Sequence, residues 1–298
     1  MKTQAGTYSV RPKKSLGQHF LVCPWVTDTI IDAAELSSHN TVIEIGPGTG
    51  ALTRVAASRV KRLIAVEKDE RLADQLTADL QKEGIDNVEV VKGDILRVLK
   101  SPLTLFQSGD FAPSFIKGRR AAISLETCKL PATSYKLVGN IPYYLTGRLM
   151  RLVFETAHKP SRIVFTIQKE VAERIVAEPP SMSILALSVQ AFGHPHIIKR
   201  VPPGCFSPPP DVESAIISIS DISDDFFKTY GISSSQFFKT VRLGFSHKRK
   251  LLATTLGAKF GKEKVLAALM ELGLSLNTRP QELDKERWAN LVLLLVPR

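Results

Sequence analysis

What the chain lacks narrows its function before any motif is read. No apolar run reaches the roughly 18 residues that a membrane-crossing helix needs, and the first residues hold no apolar signal core. Neither membrane insertion nor export is expected, and a cytoplasmic location is. Cysteine is scarce. Cys23, Cys128 and Cys205 lie far apart with no CxxC pair, which argues against a disulfide framework or a zinc knuckle and for a reducing compartment. No metal is expected. His194 and His196 flank Pro195 with no cysteine nearby and read as turn residues. Acidic residues are missing from two stretches. Residues 1–27 carry Lys2, Arg11, Lys13 and Lys14 with no Asp or Glu, and residues 226–262 carry Lys228, Lys239, Arg242, Lys248, Arg249, Lys250, Lys259 and Lys262 with none either.

What is present is ordinary in bulk and uneven in charge. The 298 residues are 44% hydrophobic and 23% charged, enough for one large domain and a small one. The net charge is +11, and two acid-free basic blocks point to a phosphate-rich partner, nucleic acid above all.

Periodicity predicts alternating strands and helices. Helical spacing runs over 24–36, and Thr41-Val-Ile-Glu-Ile45 is a β-branched run ending in glycines. A helix from Leu52 to Ser58, a strand over 62–66, a helix over 69–82 and a strand over 88–91 follow. This is a βαβαβ pattern, hence a parallel sheet covered on both faces. Further strands are expected over 135–138 and 162–167, and further helices over 147–156 and 169–176. Residues 184–192 and 212–219 read as a final strand pair joined by a proline-rich turn. Residues 95–134 resist assignment and read as a surface insertion. After residue 222 the pattern turns helical, over 235–243, 248–256, 262–272 and 280–295. The expected division is 1–222 for an α/β domain and 223–298 for a small helical one.

The first strand ends in Glu44-Ile-Gly-Pro-Gly-Thr-Gly50. Glycines let the backbone turn sharply and approach a ligand, and the helix that follows presents free N–H groups to the turn. Gly46, Gly48 and Gly50 therefore read as cofactor-binding. Glu67 ends the second strand, about 20 residues further on, where a carboxylate accepts both hydroxyls of a ribose. The same pattern suits a nicotinamide dinucleotide. S-adenosylmethionine is favoured by Glu44, placed to meet the charged methionine end, and by Gly93-Asp94-Ile95, where Asp94 accepts from an adenine amino group and Ile95 packs on the ring.

The strand over 135–138 then delivers Asn140-Ile141-Pro142-Tyr143 to the carboxyl edge of the sheet, where open α/β sheets bind ligands, and Asn140 is expected to bind the cofactor as well as to act in catalysis. An amino group on an aromatic ring is a poor nucleophile because its lone pair is delocalised. Two acceptors, the Asn140 side-chain oxygen and the Ile141 carbonyl, hold its hydrogens and favour a pyramidal nitrogen. Pro142 fixes φ and biases Ile141 to an extended shape. Tyr143 offers a flat face to a base, and Tyr144 reads as packing.

Asn-Ile-Pro-Tyr after EIGPGTG resembles the ribosomal RNA adenine N6-dimethyltransferases, with the macrolide-resistance Erm methyltransferases as relatives. Lys14-Ser-Leu-Gly-Gln-His-Phe-Leu21, Gln168-Lys-Glu-Val-Ala-Glu-Arg174, Val201-Pro-Pro-Gly-Cys-Phe-Ser-Pro-Pro-Pro-Asp-Val-Glu-Ser214 and Phe245-Ser-His-Lys-Arg-Lys-Leu-Leu252 match its other motifs in order. The resemblance implies a class I S-adenosylmethionine-dependent methyltransferase sheet with a small helical C-terminal domain. It implies that Gln18, His19 and Leu21 bind the cofactor and that Phe206 is a second aromatic wall opposite Tyr143. It also implies that the substrate is small-subunit (16S) ribosomal RNA, and the partner the small ribosomal subunit precursor, bound by a monomer. Lys13, Lys14, Arg242, Lys248, Arg249 and Lys250 are expected to meet RNA phosphates. An Erm-like enzyme acting on 23S ribosomal RNA, and a methyltransferase-like RNA-binding assembly or transcription factor, remain as alternatives. The 95–134 segment is longer than the family pattern.

Overall fold

The structure, a computed structural model, describes residues 12–13, 16–99, 134–247 and 249–296, with the backbone alone of 115–116, 119–120 and 123–124. Lys14, Lys248 and most of the 95–134 segment lie outside the described residues. The chain divides into two compact units, Met1–Lys169 with Ile197–Ser220, and Glu170–His196 with Asp221–Arg298. The second unit thus includes 170–196, which the sequence pattern assigns to the α/β domain.

The first unit is built on β-branched runs that bury both faces. Strands β1 (Phe20–Leu21), β2 (Thr41–Ile45), β3 (Arg62–Glu67) and β4 (Val88–Lys92) alternate with helices α1 (Pro24–Ala33), α2 (Ala51–Ala57), α3 (Glu70–Lys82) and the short α4 (Ile95–Val98). Three two-residue strands follow, β5 (Phe115–Ile116), β6 (Arg119–Arg120) and β7 (Ile123–Ser124). Then come β8 (Tyr135–Asn140), α5 (Thr146–Glu155), β9 (Arg162–Gln168), α6 (Lys169–Ile175), α7 (Ile184–Gln190), β10 (His194–Val201), β11 (Phe206–Ser207) and β12 (Ser214–Ser220). The main sheet has the order β10-β12-β9-β8-β2-β3-β4-β7. Strands β9, β8, β2, β3, β4 and β7 run parallel, and β12 runs antiparallel to β9. Val42, Ile43, Leu63, Ile64, Leu137, Val138, Ile163 and Val164 are each 0% exposed, as expected when helices cover both faces. At about 1.5–3 kcal/mol per fully buried aliphatic side chain, this double-sided burial is what holds the sheet.

Helix α3 shows how the sequence sets its own ends. The Asp69 side chain accepts from the Arg71 N–H, satisfying one free donor of the first turn. Leu72, Ala73, Leu76 and Leu80 fall on one stripe and are buried.

The structure corrects four local expectations. Residues 184–190 form a helix, not a strand: the Ser183 hydroxyl accepts from the Ala186 N–H and caps it. A short apolar run looks alike in either state, and the cap decides. His194 and His196 are not turn residues but begin β10, an edge strand whose run of exposed residues and whose Pro195 give little strand signal. Part of the 95–134 segment adds β7 to the edge of the sheet beside β4. Finally, Cys23 and Cys205 form a disulfide, with Cα atoms 5.0 Å apart and a sequence separation of 182. Spacing carries no hint of a pair so distant. The ribbon of β1 and β11 brings them together, pairing Leu21 with Phe206 and Phe20 with Ser207.

The second unit is helical after β12. It holds α8 (Asp225–Tyr230), α9 (Ser234–Gly244), α10 (Leu252–Thr255), α11 (Gly257–Phe260), α12 (Lys262–Glu271) and α13 (Lys285–Leu295). Ser233 and Gln236 cap α9 reciprocally, a capping box. Phe192, Phe226, Phe227, Phe237 and Phe238 pack mostly edge to face at 5.0–6.0 Å. Trp288 is fully buried and its indole N–H donates to the Pro280 carbonyl at 3.3 Å. Of the helix expected over 248–256, the described residues 249–251 are not helical and α10 begins at Leu252.

Candidate active site

Strand register assembles the site. Ile45 pairs with Val66 and with Gly139, Glu67 pairs with Lys92, and Asn140 pairs with Thr166. The residues just beyond these strand ends therefore meet at one carboxyl edge. A hollow there is lined by Gln18, His19 and Leu21, by Glu44, Gly46 and Gly48, by Glu67, by Asp94 and Ile95, and by Asn140 to Tyr143. Residues from separate sequence motifs thus come together in space.

Gly50 does not line it. Its φ is +81°, and a Cβ on it would stand 2.5 Å from Arg54 Nη1 and from Leu76 Cδ1. Its lack of a side chain serves the left-handed turn into α2 and the packing of Arg54 and of Leu76 on α3. Phe206 does not line it either. It is 4% exposed and sits in the core cluster with Val26, Val201 and the core-facing part of Leu21, its partner in the β1–β11 pair. The flat ring beside Tyr143 is instead His19, with centroids 6.0 Å apart and planes 21° apart. Tyr144, expected to pack, is 61% exposed at the rim.

Glu67 is buried, and its two oxygens accept from the Gly48 N–H at 3.1 Å and the Asp69 N–H at 2.8 Å. It thereby fixes the glycine turn to the start of α3. Burial raises its carboxyl pKa, against those backbone bonds. Glu44 is 1% exposed, and its Oε2 has no hydrogen-bond partner among the described residues. Burial, with the nearby Glu67 charge adding, pushes the Glu44 carboxyl up to about 8. A buried acidic oxygen without a partner is costly, and a cation in the hollow relieves that cost. Asp94 caps α4 through the Leu96 N–H at 3.0 Å and accepts from Lys68 at 3.0 Å. Burial works against it, but these two donors hold the Asp94 carboxyl below its usual range.

The N-terminal segment is tied down over this hollow. Lys13 Nζ and Gln18 Nε2 donate to Asp69 at 3.2 and 3.3 Å, and the Gln18 side-chain oxygen accepts from the Lys13 N–H at 2.7 Å. Lys13, expected to meet RNA, is thus engaged by an acid. Arg71, opposed by burial, and then Lys13 and Gln18 hold the Asp69 carboxyl far below its usual range. Sequence reasoning missed Asp69 and Lys68, whose only local signal is the helix cap at residue 69.

Asn140 Nδ2 donates to the His19 carbonyl at 2.6 Å. A carbonyl only accepts, so this bond decides which way the amide points. Oδ1 meets no donor among the described residues and is the atom free to face the hollow. His19 Nδ1–H donates to the Pro208 carbonyl at 2.7 Å, which settles its tautomer in the same way. Ile141 is buried with its N–H on the Thr166 carbonyl, and Pro142 has φ −54° and ψ 131°. The Tyr143 hydroxyl is hydrogen-bonded to that of Ser214 at 2.7 Å.

In the second unit Arg249 and Lys250 are exposed and line a shallow hollow with Thr254, Asn277 and Arg279. Arg242 is exposed on α9. No helix among the described residues is long and apolar enough to cross a membrane.

Known proteins are similar to this chain in sequence and fold. The family model described as "Ribosomal RNA adenine dimethylase" matches residues 10–296. The chain is 36% identical over 289 residues to the ribosomal RNA small subunit methyltransferase A of Dehalococcoides mccartyi, covering 96% of this chain and 89% of that protein. It is 36% identical over 290 residues to the protein of the same name from Pelotomaculum thermopropionicum, covering 95% and 91%. Among solved structures, a dimethyladenosine transferase from Plasmodium falciparum superposes with a TM-score of 0.71 at 24% identity, covering 92% of this chain and 96% of that one. The 23S rRNA methyltransferase ErmE gives 0.67 at 24%, covering 93% and 99%. These two show the same fold, that of the methyltransferases. By its sequence, this chain belongs to the ribosomal RNA adenine dimethylase family.

Proposed function

We propose that the protein methylates the exocyclic N6 of adenosines in small-subunit (16S) ribosomal RNA, twice per nucleoside, during maturation of the small subunit. It acts as a cytoplasmic monomer on the precursor particle, with S-adenosylmethionine as cofactor. The observation that carries this reading is the Asn140 amide, held by the His19 carbonyl with its oxygen free to face the hollow.

The donor set fits that cofactor. Glu44 presents an unpaired buried carboxylate oxygen to a cationic group. Glu67 and Asp94 present acceptors at the next two strand ends, suited to ribose hydroxyls and an adenine amino group. Gln18, His19 and Leu21 close the hollow from the N-terminal side. S-adenosylmethionine, when bound, supplies an electrophilic methyl group.

The chain's own residues prepare the nucleophile. In the first transfer Asn140 Oδ1 and the Ile141 carbonyl accept the two N6 hydrogens and draw the nitrogen lone pair out of the ring; in the second, one of them accepts the single hydrogen that remains. Tyr143 stacks on the base, returning about 1–3 kcal/mol against the few kcal/mol, roughly, that unstacking costs. The new ammonium loses its proton to solvent only after it has become cationic, so no strong base is needed. Positioning and electrostatic complementarity do the rest.

The test is mass spectrometry of ribosomal RNA and small-subunit particles incubated with the protein and isotope-labelled methyl donor. Dimethyladenosine in small-subunit RNA supports the reading. Label in large-subunit RNA alone replaces it with the Erm-like one. RNA binding without label replaces it with a binding factor.

A further inference from the structure

We propose that Ser214 is a positioning residue for methyl transfer and that it acts through the ring of Tyr143. The inference rests on the reading of Tyr143 as the face on which the target base stacks. Ser214 is the first residue of β12 and is completely buried. Register places it: Ser214 stands opposite Gln168 on β9, and β9 is the neighbour of β8, which ends at Asn140. Its hydroxyl lies 2.7 Å from that of Tyr143.

The geometry gives this bond a use. The Tyr143 ring hangs from a backbone already constrained by Pro142. A side chain attached at one end still turns about two bonds. A hydrogen bond at the far end of the ring adds a second fixed point, and because a phenolic O–H prefers the ring plane it limits rotation about the ring axis as well. The ring is half-buried, and burial raises the pKa of its hydroxyl, so a proton is always available between the two oxygens. The turn joining β11 and β12 reaches the site at a second point, where the Pro208 carbonyl accepts from His19. The turn, through Pro208, and the strand it leads into, through Ser214, thus hold the two rings that stand 6.0 Å apart at the hollow. Preorganised orientation of this kind acts on the rate of the chemical step rather than on affinity.

The experiment compares single-turnover methylation by wild type, Ser214→Ala, Ser214→Thr, Tyr143→Phe and the Ser214→Ala/Tyr143→Phe double variant. Ser214→Ala is expected to slow the step about 3- to 10-fold, with cofactor affinity and the KM for RNA held. Ser214→Thr keeps the hydroxyl and restores the rate. In the Tyr143→Phe background, where the phenolic oxygen is already gone, Ser214→Ala slows nothing further. An unchanged rate in Ser214→Ala, or the same fold reduction in both backgrounds, overturns the proposal. A second readout does not depend on turnover. In protein labelled with 3-fluorotyrosine, the fluorine resonance that vanishes in Tyr143→Phe should shift or broaden in Ser214→Ala and return in Ser214→Thr. A resonance indifferent to Ser214→Ala also overturns it. A wild-type protein that methylates no RNA removes the functional reading itself, and Ser214's catalytic role with it.

Discussion

The side-chain amide of Asn140 donates to the backbone carbonyl of His19 across 2.6 Å, although 121 residues separate them in the chain. This single bond joins the last residue of β8 to the segment that precedes β1. It orients the amide, and it makes the geometry of the reacting centre depend on the N-terminal segment being in place.

That dependence should be visible at Asp69, which receives Lys13, Gln18 and Arg71. Asp69→Ala removes the acceptor that holds the segment over the hollow. Each such bond has a net value of about 0.5–1.5 kcal/mol. Calorimetry should therefore show cofactor affinity weakened by about fivefold or more. Wild-type affinity in the variant would mean that the tie is incidental.

How much of this was legible in the sequence differs by residue. Glu44, Gly46, Gly48, Glu67, Asp94 and Asn140 each stand at or just past the end of a short apolar run read as a strand, and a parallel sheet brings all such ends to one edge. Their convergence follows from local pattern alone. Gly50 belongs to the same motif but serves helix packing, because its surroundings are set by Arg54 and Leu76 rather than by its own turn. Phe206 stands in a matched motif, yet its direction is fixed by pairing with Leu21, a partner most of the chain away. Lys13 reads as one of a basic block, and only folding brings Asp69 to it. The disulfide of Cys23 and Cys205 was hidden for the same reason. Helix α7 was missed on local grounds: a short apolar run suits helix and strand alike, and the Ser183 cap was the overlooked signal.

Glu44 makes a prediction about pH. Its carboxyl, pushed up to about 8 by burial, is largely protonated at neutral pH. A cationic ligand favours the ionised form, so cofactor binding near pH 7 should release a proton, and affinity should rise toward pH 8. Calorimetry in two buffers of different ionisation enthalpy measures that proton directly. The unliganded protein should behave oppositely. Between the unfolded value near 4.5 and the folded value near 8, the unfolded state binds fewer protons, so stability falls as pH rises. Glu44→Gln should abolish both the proton release and that fall. Identical apparent enthalpies in the two buffers would remove the assignment.

The second unit should contribute charge rather than base recognition. Arg249 and Lys250 are exposed beside Arg279. Reversing both, Arg249→Glu with Lys250→Glu, should weaken RNA binding. The slope of log affinity against log salt should fall by about one for each phosphate no longer neutralised. Cofactor affinity should not change. A salt slope equal to that of wild type would make these residues plain surface.

The most direct measurement is the single-turnover methylation rate of Asn140→Ala with RNA and cofactor both saturating. The account predicts a rate lower by about 100-fold or more, the usual effect of deleting one preorganised polar group at a reacting centre, with RNA affinity close to that of wild type and cofactor affinity weakened by about tenfold at most through loss of the His19 bond. A variant that keeps about a tenth or more of the wild-type rate would contradict it, because the amide held by His19 would then not be what prepares the nitrogen for attack.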